Sequence, residues 1–166
     1  DAEGIRWTNV ALEKTRAYLV GICKELAALG FDEILLENSG YPTQGNLHYI
    51  KTGEAYDPDA LSGPVEQFYR EVAEALGDTG VKLSIATQPG VLTGEEDKSG
   101  QTPALLRTYG ARVYVPAPDT AGGYAAALRE AGLEERQLVY STPSGKGEEP
   151  DGEASTLLMF SEGIKR

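Results

Sequence analysis

A single cysteine, Cys23, and a single histidine, His48, limit the chemistry open to this 166-residue chain. One thiol excludes an intrachain disulfide and a cysteine-based zinc site; one imidazole excludes a metal centre built on several histidines. Basic side chains are scarce as well: 15 Lys and Arg stand against 26 Asp and Glu, a net charge of −11. That balance argues against sequence-independent nucleic-acid binding, which works by neutralising phosphates, and disfavours anionic membrane surfaces. No apolar run approaches the ~20 residues needed to span a bilayer. No signal segment is present either, but the chain opens on Asp1 rather than Met, as a processed or truncated sequence would, so a missing leader carries no information.

What is present is ordinary for a soluble globular domain: 40% hydrophobic and 25% charged residues, in a length that suits one domain with a real core. Residues 1–9 are a lead-in, with Thr8 or Asn9 as the helix N-cap. Over residues 10–29, Tyr18, Leu19, Ile22, Leu26 and Leu29 recur at three- and four-residue steps between charged positions. This predicts an amphipathic helix, with Cys23 a buried structural thiol and Gly30 at the left-handed C-terminal position. A short strand follows to Glu37, and residues 38–61 form a long loop carrying Tyr41, His48, Tyr49 and Tyr56. Such loops in compact domains are usually functional or mobile. Its aromatic side chains suit either a sugar-binding or lid surface or simple pins against the domain.

The second helix is expected from Pro64 at a first-turn position, with Val65, Phe68, Tyr69, Val72, Ala73 and Leu76 as its buried stripe. A strand over residues 81–87 stops at Gln88-Pro89-Gly90, and residues 88–100 read as a loop containing Glu95, Glu96 and Asp97. A short helix over residues 102–109, a strand over 112–115, a helix ending at Gly132, and strands over 137–141 and 155–160 complete the order. Helices alternating with strands imply parallel pairing through right-handed crossovers. Such strands suit an open doubly wound sheet or part of an eight-stranded barrel.

Alternation within the strands separates these two. Val81, Leu83 and Ile85 alternate with Lys82, Ser84 and Ala86; Val113 and Val115 alternate with Arg112 and Tyr114; Ile34 and Leu36 alternate with Glu33, Leu35 and Glu37. Strands buried on both faces of an open sheet are usually continuous apolar runs. One polar side per strand favours a barrel with helices outside. The expected fold is α/β, a partial (β/α)8 TIM-type barrel of about five parallel strands with four helices. Residues 1–166 would form a single domain.

In that frame Glu37 stands at the carboxyl end of a strand, where barrels place their chemistry. Asp32 and Glu33 lie at the opposite end and read as structural. Residues 30–42, Gly-Phe-Asp-Glu-Ile-Leu-Leu-Glu-Asn-Ser-Gly-Tyr-Pro, resemble without a gap the segment GFDEIQFDYVRFP of a glycoside hydrolase family, formerly a domain of unknown function and related to the barrel glycosidases. Trp7-Thr8-Asn9 with Tyr18, and Gly100-Gln101 with Arg112-Val113-Tyr114-Val115-Pro116, are similar to further pieces of that family in the same order. The chain departs from the segment at residues 38–41, where Gly40 stands in place of its arginine, and carries a non-acidic residue near Ala86 where an Asp is expected.

The resemblance implies that the chain is the C-terminal portion of a glycosidase-like barrel, from roughly the fourth strand onward. It implies a carbohydrate ligand, no cofactor, an extracellular or cell-envelope location, and Glu37 as catalytic nucleophile or acid/base. Glycoside hydrolysis uses two carboxyl groups. Candidates for the second are Asp97, Glu96, Asp119 or a group from the missing half. Glu96 and Asp97 also suit a solvated loop, and Asp119 the N-cap of a helix starting near Ala121. Asn38, Tyr41, Gln88, Tyr114 and Asp119 are the expected substrate-binding residues, with Gln88 and Tyr114 equally able to pack as core. Trp7 is either a packing residue or a sugar platform.

Two other functions fit the residues. A non-catalytic carbohydrate-binding or scaffold barrel would keep the aromatic loop without a carboxylate pair. Thr120-Ala121-Gly122-Gly123 could cradle a phosphate, but lacks the spacing of a P-loop or dinucleotide-binding turn. A barrel fragment also has open strand edges, which invite pairing. Self-association as a homodimer, or association with the missing half of the barrel, is therefore expected.

Overall fold

A computed structural model describes residues 7–45, 47, 55–95, 98–117, 124–143 and 155–159. Its elements are α1 (Glu13–Ala28), β1 (Glu33–Leu36), α2 (Ser62–Leu76), β2 (Lys82–Ala86), α3 (Pro89–Thr93), α4 (Pro103–Tyr109), β3 (Arg112–Pro116), α5 (Ala125–Ala131), β4 (Leu138–Pro143) and β5 (Ser155–Met159). Every neighbouring pair of strands is parallel, and the sheet order is β1-β2-β3-β4-β5. A doubly wound sheet reverses its direction of winding at a switch point. Strictly sequential order is barrel winding. The chain is thus part of a TIM-type barrel, with five strands as expected and five α-helices among the described residues rather than four.

The additional helix is α3, inside the stretch expected to be loop. Behind a strand Pro89 reads as a breaker, yet its fixed φ and missing N–H suit the first turn of a helix. Gln88 is the extended N-cap, Val91 and Leu92 are buried, and Gly94 ends the helix at φ +77°. The start of α1 also differs from expectation. Asn9 uses its side chain on an earlier turn, accepting from the Ala11 N–H at 2.9 Å, and the helix proper begins four residues later behind Leu12.

The core lies on the helix side of the sheet. Ile34, Leu83, Ile85, Val113, Val115 and Leu138 meet Val65, Phe68, Tyr69, Val72 and Leu76 of α2 and Leu105 and Leu106 of α4 in one cluster. Each such side chain contributes about 1.5–3 kcal/mol by leaving water, and this shared burial fixes which face of each strand points outward. On α1 the expected stripe is split. Cys23 is buried and Leu19 and Leu26 partly so, whereas Tyr18, Ile22 and Leu29 are exposed. A barrel helix packs on the sheet and on a neighbour at each flank, and α1 touches β1 and α2 alone among the described elements that it contacts extensively. Arg16 secures that α2 flank, its Nε 3.1 Å from both oxygens of Glu71. No helix among the described residues is long and apolar enough to cross a membrane.

The opposite face is polar and points toward the barrel axis. Glu33 accepts hydrogen bonds from the Ser84 hydroxyl at 2.5 Å and the Tyr114 hydroxyl at 3.1 Å, and pairs with Arg112 at 3.2 Å. Glu33 is in register with Lys82, so Ser84 lies two residues ahead of it; Tyr114, in register with Ala86, lies four ahead. The contacts therefore climb two residues per strand. That diagonal is what a tilted, twisted barrel sheet produces on its inner face.

Candidate active-site rim

Glu37 is the first residue beyond β1, and its side chain is exposed. It shares the axis-facing parity of Glu33 and Leu35. Among the described residues nothing hydrogen-bonds to its carboxylate, which leaves the oxygens open to a ligand. Continuing the register of β1 and β2 puts Glu37 level with Ala86. The same two-residue diagonal then leads from Glu37 to Gln88, which is also exposed and precedes α3. By this continuation of the register, the two expected site residues fall on one rim.

Asn38 follows at φ +52°, a left-handed conformation that asparagine tolerates better than most residues. The turn is held there from the next residue onward. The Ser39 and Tyr69 hydroxyls, both buried, are 2.8 Å apart. Gly40 lies so close to the loop before α4 that a Cβ would meet the Ser99 carbonyl oxygen at 2.6 Å. The same oxygen accepts from the Tyr41 N–H at 2.7 Å.

Gln101 links this turn to β2. Its Nε2 donates to the Tyr69 hydroxyl at 2.8 Å and to the Ala86 carbonyl at 3.0 Å, while its Oε1 accepts from Thr87 Oγ1 at 3.0 Å. Because a carbonyl can only accept, the Ala86 contact settles which end of the amide carries the nitrogen. Burial pushes the Tyr69 phenol above its ordinary 10.0, against the opposing pull of its bonds to Gln101 and Ser39. Gly100 permits the approach, since at φ +73° a Cβ there would strike the Leu61 carbonyl at 2.6 Å.

The other expected site residues are placed differently. Tyr41 is not available as an exposed sugar platform: it is 8% exposed, and its ring stands edge-on to Tyr56 at 5.7 Å. It pins the loop, the second of the two roles open to it in the sequence. Tyr114 faces the axis, but its hydroxyl is engaged with Glu33 at the amino end of β1, and burial raises its pKa. Trp7 is exposed. Asp119, Glu96, Asp97, His48 and Tyr49 lie outside the described residues. Sequence reasoning missed Ser39, Tyr69, Thr87 and Gln101 as a unit. Tyr69 counted only as part of a helix stripe, and Gln101 was marked only through the family resemblance.

Residues 1–114 match the family described as "Putative glycosyl hydrolase domain". The chain belongs to that family. Solved structures show the fold of this glycosyl hydrolase domain as well. The spore cortex-lytic enzyme SleL of Bacillus megaterium is similar at TM-score 0.54 and 13% identity, over 84% of this chain and 34% of that one. A chitinase of Chromobacterium violaceum is similar at TM-score 0.56 and 12% identity, over 87% and 47%. A Group IV chitinase of Ostrinia furnacalis, solved in complex with allosamidin, is similar at TM-score 0.55 and 14% identity, over 81% and 41%. At these identities the likeness concerns the barrel fold alone. The chain spans between a third and a half of the length of these structures. No curated protein matches it.

Proposed function

We propose that this glycosyl hydrolase domain contributes Glu37 as nucleophile or general acid/base in cleaving a glycosidic bond. The observation that carries the reading is the exposed Glu37 carboxylate at the carboxyl end of an axis-facing strand, on one rim with Gln88. Asn38 and Gln88 are then the neighbouring groups placed to bond sugar hydroxyls.

Glu33 is not the second carboxylate. It lies four residues back along the same strand, about 13 Å at ~3.3 Å per residue, beyond the ~9.5 Å upper separation for inverting enzymes. Its oxygens are also already committed to Ser84, Tyr114 and Arg112. Asp97, Glu96, Asp119 or a group from the remaining barrel strands supplies that role. Association with those strands, or with a second copy of the chain, would cover the open edge of β1 and the exposed flank of α1.

An N-acetylglucosamine oligomer is the substrate class we favour. An Ostrinia furnacalis Group II chitinase domain of similar fold was solved in complex with such an oligomer, at 14% identity. Release of reducing ends from chitotetraose but not from cellotetraose would support the reading; absence of both cleavage and binding of either sugar would remove it. The second reading is a carbohydrate-binding barrel without catalysis. Ala86, an axis-facing strand-end residue with no carboxylate, favours it. Chitotetraose bound but never cleaved would select this alternative.

A further inference from the structure

We propose that Gln101 is the positioning residue of this rim, its side-chain amide fixing Glu37 relative to Gln88. The inference rests on the reading of Glu37 as the reacting carboxylate. Gln101 is 6% exposed and comes from neither strand that bears the two rim residues. Its amide nevertheless reaches both. Toward β2 it holds the Ala86 carbonyl and the Thr87 hydroxyl, the two residues immediately before Gln88. Toward β1 it donates to Tyr69, whose hydroxyl meets Ser39, two residues beyond Glu37.

In this relay the Tyr69 oxygen accepts from Gln101, and either hydroxyl can donate in the 2.8 Å contact between Tyr69 and Ser39. Among the described residues no buried side-chain nitrogen or oxygen lacks a partner. A fully satisfied buried network rigidifies its members, and removing one leaves the others without partners. Asn38 gives that constraint its leverage. With β1 pairing on one side and Ser39 clamped on the other, the left-handed residue has little freedom to swing Glu37 away from the axis.

The test uses Tyr69→Phe, Ser39→Ala, their double variant and Gln101→Leu, with Arg16→Met at the α1–α2 contact as a control for lost stability. With chitotetraose, Tyr69→Phe should lower kcat about tenfold or more while KM stays within about twofold, as misplaced reacting groups do. Ser39→Ala should add nothing further in the Tyr69→Phe background, and Arg16→Met should lower the melting temperature without changing kcat. An unchanged kcat in Tyr69→Phe, additive losses in the double variant, or an equal kcat loss in Arg16→Met would overturn the proposal.

Amide NMR separates this from a failure of the glycosidase reading. In Gln101→Leu the Asn38 and Gln88 amide signals should move together while Glu33 and Ser84 stay in place. If the unaltered protein cleaves no chitotetraose, the glycosidase reading fails and the amide shifts alone decide the positioning. Unmoved Asn38 and Gln88 signals overturn the positioning role whether or not sugar is cleaved.

Discussion

The Glu33 carboxylate at the start of β1 accepts a 3.1 Å hydrogen bond from the Tyr114 hydroxyl, two strands away on β3. The same oxygen accepts a hydrogen bond from the hydroxyl of Ser84, which is fully buried on the strand between them. Three strands are thus joined on the inner face by one side chain. The outer face is held by the apolar core, so each strand is fixed from both sides.

Replacing Glu33 should therefore cost stability rather than sugar recognition. Glu33→Ala leaves the Ser84 hydroxyl without its acceptor, a buried polar group whose loss of partner costs about 1–3 kcal/mol. Glu33→Gln keeps an acceptor and loses chiefly the Arg112 pair, which is 44% exposed on the arginine side. Solvent screening limits that loss to less than about 1 kcal/mol. Urea denaturation should rank the variants in this order, with chitotetraose affinity unchanged in both.

Gly40→Ala tests the clamp on the Glu37 turn. A methyl group at that position meets the Ser99 carbonyl oxygen at 2.6 Å, and backbone rather than a flexible side chain must move. Overpacking of this kind costs about 1–3 kcal/mol. The variant should melt at lower temperature and lose affinity for chitotetraose, because Tyr41 and Ser39 are displaced with the turn. An unchanged melting temperature would show that the two loops are not in contact.

Alkaline pH should expose the buried phenols. Burial raises Tyr69, Tyr114, Tyr41 and Tyr140 above their ordinary 10.0. The unfolded chain then releases these protons at lower pH than the folded one. Their contribution to stability is complete below about pH 10 and is lost as pH rises through the folded-state values. Burial raises the Cys23 thiol above its ordinary 9.0 as well, so urea midpoints should begin to fall near pH 9 and fall more steeply above about pH 10. Tyr69→Phe should reduce the fall, and a midpoint rising above pH 10 would contradict the burial account.

The barrel was legible in the sequence because its signals are local. Alternation of Leu83 and Ile85 with Lys82 and Ser84 shows one apolar and one polar face, and Gly30 and Gly132 mark helix ends. Helix α3 was not legible, since Pro89-Gly90 punctuates a loop and a short helix start alike. The role of Tyr41 depended on Tyr56, and nothing local says whether two tyrosines stack on each other or face a sugar. The relay is the least legible part. Ser39 and Tyr69 are 30 residues apart and Tyr69 and Gln101 are 32 apart, so their meeting follows from the winding of the barrel. Glu37 was visible for the opposite reason, as a carboxylate standing where an apolar strand ends.

The central claim is that Glu37 does chemistry at this rim, and Glu37→Gln tests it most directly. Amide keeps the size and hydrogen-bonding capacity of the side chain but cannot act as nucleophile or exchange a proton as a carboxyl group does. Since acid–base catalysis by one group contributes about 10²–10⁴-fold, the rate of chitotetraose cleavage should fall by at least about a hundredfold. The melting temperature and the affinity for chitotetraose should stay as they were. Cleavage at the original rate by the folded Glu37→Gln protein would contradict the account.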